Sequence, residues 1–179
     1  MRKYLDIIKL PLLMAVIVTL INAIYGHVYF NGVTSTVDFL RLAFNPIFLI
    51  GAGFISLLLY IIVVYAGYLA VKEHKYKISE AFMTGLCMGL ILFIITSAIN
   101  LFMYFFFDYY RYIFGNIEQQ TLPIVISIII GFIVSLAFYG GLGALGGWLA
   151  KRTQKVKEKI SARKMPQMPK KKAKKSKRK

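Results

Sequence analysis

Ionisable side chains are scarce through most of this chain, and the scarcity excludes several classes of chemistry. Only seven of its 179 residues are acidic: Asp6, Asp38, Glu73, Glu80, Asp108, Glu118 and Glu158. None belongs to a recognisable Ser/His/Asp set, carboxylate pair or phosphate loop, so no enzyme activity is expected. The single cysteine, Cys87, excludes an intramolecular disulfide. With only His27 and His74 beside it, no zinc-type spacing exists, and neither metal nor cofactor is expected. His27 reads as an interfacial side chain and His74 as a solvated loop residue.

The most informative absence is local. Four stretches, Leu10–Tyr29, Pro46–Val71, Phe82–Phe107 and Leu122–Ala150, contain no Asp, Glu, Lys or Arg. Each reaches the ~20 residues that span a hydrocarbon core. A proton relay or ion-coupled carrier ordinarily needs charges at that depth, so neither is expected. The first stretch belongs to an uncharged run from Leu10 to Val37, longer than the ~7–15 residues of a secretion signal. It therefore reads as a retained span. The expected fold is an all-α integral membrane protein of four transmembrane helices. Pro11, Pro46 and Pro123 are each expected in the first turn of a span, where a missing N–H costs least. Phe30–Asn45 reads as a loop with a turn at Asn31-Gly32. The aromatic run Met103–Phe107, with Tyr109, Tyr110 and Tyr112, reads as a membrane-interface belt.

What charge there is lies on one side. The N-terminus to Lys9 holds three Lys+Arg, the loop after the second span three, and residues 151–179 hold 15 of the 23. The two loops on the other side hold one each, Arg41 and Arg111. The positive-inside rule then puts both termini in the cytoplasm. In a prokaryote the membrane is the cell membrane. The chain divides into a basic segment 1–9, a two-helix unit 10–71, a second 82–150, and a tail 151–179.

Glycine collects where the last span ends, in Phe138–Trp148. Gly141, Gly143 and Gly146 form a literal Gly-x-Gly-x-x-Gly. A dinucleotide site requires that pattern between a strand and a helix, with an acidic residue ~20 positions on. Here the pattern lies in an uncharged span and the following region is basic. Small residues spaced by four offer the better reading: they let helix backbones approach closely in lipid. Gly85 and Gly89, Gly143 and Gly147, Gly140 with Ala144, and Gly131 with Ser127 and Ser135 all keep that spacing. Gly85, Gly89, Gly131, Gly140, Gly143 and Gly147 are the expected packing residues.

The halves also echo each other. Ile21-Asn22, Pro46-Ile47, Gly53-Phe54-Ile55 and Ala66–Ala70 recur in order as Ile99-Asn100, Pro123-Ile124, Gly131-Phe132-Ile133 and Gly146–Ala150. The pattern is that of a parallel tandem repeat of two helical hairpins. Asn22 and Asn100 become equivalent intramembrane amides, serving either as interhelical glue or as the lining of a polar path.

The tail carries net charge +14, with Glu158 its only acid. Lys151–Lys164 continues the last helix, and Met165–Pro169 breaks it. Beyond lie Lys170, Lys171, Lys172, Lys174, Lys175, Lys177, Arg178 and Lys179, too charged to fold alone. These residues suit polyanions: anionic lipid headgroups or ribosomal RNA. The functional expectation is a non-enzymatic scaffold or assembly factor in the lipid bilayer, recruiting through the tail. The alternative is a small passive channel or transporter formed as a homo-oligomer.

Overall fold

The computed structural model describes residues 2–33, 35–106 and 117–164, and the regular structure among them is entirely helical. The helices are α1 (Arg2–Phe30), α2 (Thr36–Ala43), α3 (Pro46–Lys72), α4 (Ile78–Phe106) and α5 (Ile117–Lys164). Four are long and apolar enough to cross a bilayer, over Asp6–Phe30, Pro46–Lys72, Ile78–Met103 and Ile128–Glu158, with mean hydropathies of 2.2 to 2.8. A helix pairs its own backbone groups, which is the condition that hydrocarbon imposes on a spanning segment. Leu10, Ile50, Phe54, Ile94 and Ile133 stay exposed on the outside of the bundle.

Local chemistry fixes the helix starts. The Asn45 side chain accepts the Ile47 N–H at 2.9 Å, and Pro46 follows at the first helical position. Glu80 reaches back to accept the Lys77 N–H at 2.9 Å and so secures the start of α4.

Three local expectations are corrected. Pro11 does not open a helix, because α1 already begins at Arg2. Ile7, Ile8 and the Pro11 ring are buried, and that packing offsets the hydrogen bond Pro11 cannot donate. Pro123 likewise lies beyond the first turn of α5, which begins at Ile117. Thr36–Ala43, read as loop, is helical. Ser35 caps it, accepting the Asp38 N–H at 3.1 Å and donating to Asp38 Oδ2 at 2.6 Å. Phe39, Leu42 and Ala43 then pack onto a cluster of Phe30, Val33 and Met103, and this burial supports a helix too short to persist alone. The turn at Asn31-Gly32 is present, with Gly32 at φ +87°, where a Cβ would be strained.

By connectivity α3 and α5 run parallel, and α1 and α4 run opposite to them. α5 packs on α3 and α4, while α1 packs on the other sides of the same two helices. Buried side chains form three layers along the bundle. Ile7, Ala70, Val71, Ala81 and Ala150 form one end. Ile8, Ala15, Ile62, Val63, Ala66, Met88 and Leu92 form the middle. Phe30, Val33 and Met103 form the other end.

Candidate functional site

Small residues at a spacing of four bring α4 and α5 together in antiparallel register. Ala81, Gly85 and Gly89 on α4 meet Gly147, Gly143 and Tyr139 on α5. A Cβ on Gly85 would strike the Tyr139 carbonyl, and one on Gly143 would strike the Ala81 carbonyl. At Gly147 an added Cβ would lie 2.7 Å from that of Ala81, and at Gly89 it would lie 2.8 Å from that of Tyr139. Gly140 faces the Phe82 ring, 2.7 Å from where its Cβ would be. Gly143 is shared with a third helix, because a Cβ on Gly67 of α3 would strike the Gly143 carbonyl.

Two further contributors were not among the expected packing residues. Gly67 and Gly146 sit against backbone, Gly146 against the carbonyl of Val64. The usable signal was Ala66 and Ala70, small residues four apart on α3, both fully buried. Gly131 behaves differently from the other five. A Cβ there would meet nothing within 4 Å, so the close approach does not extend that far up α5.

Above this seam lies a cavity of about 200 Å3 lined by Val18, Thr19, Asn22, Ile55, Ser56, Leu59, Tyr60, Thr96 and Tyr139. Every span contributes to it. The Thr19 hydroxyl donates to the Ala15 carbonyl at 2.8 Å. Among the described residues, the Asn22 amide and the hydroxyls of Ser56, Tyr60, Thr96 and Tyr139 have no hydrogen-bond partner in the chain. The Tyr60 ring is held edge-on against Phe138 at 5.1 Å. No ionisable carboxylate, ammonium, guanidinium or imidazole lines the space. The two asparagines of the candidate spans therefore part company: both are exposed, but Asn22 lines the cavity and Asn100 lies outside its lining. Among the described residues no three His, Cys, Asp or Glu side chains gather as metal ligands.

At the basic end, aromatic rings sit under cations. The Lys72 ammonium lies 5.4 Å from the Tyr68 ring centre, and the Arg152 guanidinium lies 5.4 Å from that of Trp148. Beyond Ala150, α5 continues to Lys164 with every side chain from Lys151 to Glu158 exposed. The polyanion-binding candidates Lys170, Lys171, Lys172, Lys174, Lys175, Lys177, Arg178 and Lys179 lie outside the described residues.

Together these features define an all-helical protein with four helices suited to spanning a membrane. No protein-family model, curated protein or solved structure matches the chain.

Proposed function

We propose that the protein is a non-enzymatic membrane scaffold or assembly factor, with both termini in the cytoplasm and its basic tail recruiting anionic lipid or ribosomal RNA. The observation that carries this reading is the course of α5. The helix leaves the bundle without a break and exposes Lys151, Arg152, Lys155 and Lys157 on the way to the tail. Fourteen residues from Lys151 to Lys164, at ~1.5 Å each, make a stalk about 21 Å long. A stalk of that length would hold the tail clear of the headgroups, within reach of a large polyanion.

Deleting Met165–Lys179 tests the reading. The truncated protein should stay in the membrane and lose salt-sensitive association with membrane-bound ribosomes or with anionic bilayers. Unchanged binding to both removes the recruiting role. Topology is tested by thiol labelling of intact cells in a background lacking Cys87. Ser35→Cys should react and Ser79→Cys should not; the reverse pattern inverts the orientation.

The tandem repeat belongs to the same proposal. The matched segments Ala66–Ala70 and Gly146–Ala150 are each followed by a cation that covers the aromatic residue four positions earlier.

A further inference from the structure

All four candidate spans line the cavity around Asn22 and Tyr139. Its polar lining is unusual for its depth, since Thr19, Asn22, Ser56 and Thr96 lie within candidate spans. A hydroxyl or amide without a partner in an apolar medium carries a desolvation cost of a few kcal/mol. Five such groups converge on one partly open space; Asn22 and Thr96 are exposed there and the other three are half-buried, so all five can reach a group that enters from the bilayer or the water. The walls between them are apolar: Val18, Ile55, Leu59 and the faces of two tyrosine rings. Apolar walls carrying a few convergent polar groups are the usual make-up of a ligand site rather than of a water channel. The absence of charged lining groups selects against ions, which would lose hydration and find no counter-charge. The volume of about 200 Å3 is below the usual ~300–1,000 Å3 of a drug-sized pocket, so the bound group is small.

We propose that this cavity binds an uncharged hydroxyl- or amide-bearing group, held by Asn22, Ser56, Thr96 and the phenols of Tyr60 and Tyr139. The group belongs either to a free polyol or to the head of a neutral lipid alcohol. This inference is independent of the scaffold reading, because it involves no residue of the stalk or tail.

The test uses the full chain in phosphatidylcholine nanodiscs, with thermal unfolding followed against two probes. Glycerol is added to the water, and diacylglycerol is added to the bilayer. Binding should raise the midpoint saturably, unlike the unsaturating rise that an excluded osmolyte gives any protein. A response to glycerol identifies a soluble ligand, and a response to diacylglycerol identifies a lipid one. Asn22→Leu and Ser56→Ala should each raise the half-saturating concentration about tenfold, the loss expected for one buried hydrogen bond. Asn100→Leu should leave it unchanged. Ser56→Ala is small enough to keep the fold should Asn22→Leu fail to assemble. If neither probe acts saturably, or if Asn100→Leu weakens binding as much as the lining variants, the cavity holds only water, ~30 Å3 per molecule, and the proposal is overturned.

Discussion

At the end where α3 turns into α4, backbone meets backbone; at the end where α1 turns into α2, ring meets ring. The first contact is made by Gly67, Gly85, Gly143 and Gly146. The second is made by Tyr25, Tyr29, Phe30, Phe39 and Phe48, with Tyr25 stacked on Phe48 at 5.6 Å and Phe30 edge-on to Phe48 at 4.9 Å. Both meet a condition set for helices suited to a membrane: lipid supplies no hydrophobic force between them, so contact must come from fit. They differ in tolerance. A ring can tilt or be replaced by a smaller side chain, at the cost of the lost contacts. A backbone pressed against a carbonyl has no room for one added carbon. The glycine end therefore carries position-specific information, and the aromatic end mainly requires bulk.

The sharpest test of that contrast is Gly143→Leu. Overpacking a tight site costs about 1–3 kcal/mol and occasionally more, and here both α3 and α4 press on the same position. The expected result is a fall of ~3 kcal/mol or outright loss of monodisperse protein, read by thermal unfolding in detergent. A wild-type midpoint would break the contrast. Phe48→Ala at the other end should do less. Phe48 is half-buried, so its truncation should cost roughly 1–2 kcal/mol, below the ~3–5 of a fully buried ring. A larger loss than at Gly143 would reverse the ranking. The smallest effect is expected at Gly131→Leu, where open space surrounds the site. Its change should stay within about 0.5 kcal/mol, and a larger one would mean that the seam runs further up α5 than its geometry indicates.

Much of this arrangement was legible in the residues themselves. Span positions follow from uncharged length, and spacing by four marked Gly85, Gly89, Gly143 and Gly147. Gly131 keeps the same spacing yet faces open space, because periodicity names a face without naming what lies across from it. Gly67 was missed for the converse reason: its partner is a backbone carbonyl on another helix, and its own sequence offers only the nearby small residues Ala66 and Ala70 as a sign of it. The short helix α2 depends on packing against Phe30 and Val33, beyond the reach of local propensity. The cavity is the least legible feature. It joins residues from four spans, and of its lining only Asn22 was conspicuous as a lone amide in an apolar run.

The place of Gly143 has a consequence in time as well as in space. Gly67 and Gly85 belong to helices synthesised before α5, and the backbone that each meets lies on α5, the last helix of the described chain. Chains leave the ribosome N-terminus first, at ~5–20 residues per second. From the completion of α4 until the arrival of Gly143, some 37 residues beyond Phe106, α3 and α4 carry two small-residue faces without the helix that fills them. Both seams include the same residue, so neither can be complete before Gly143 has been made.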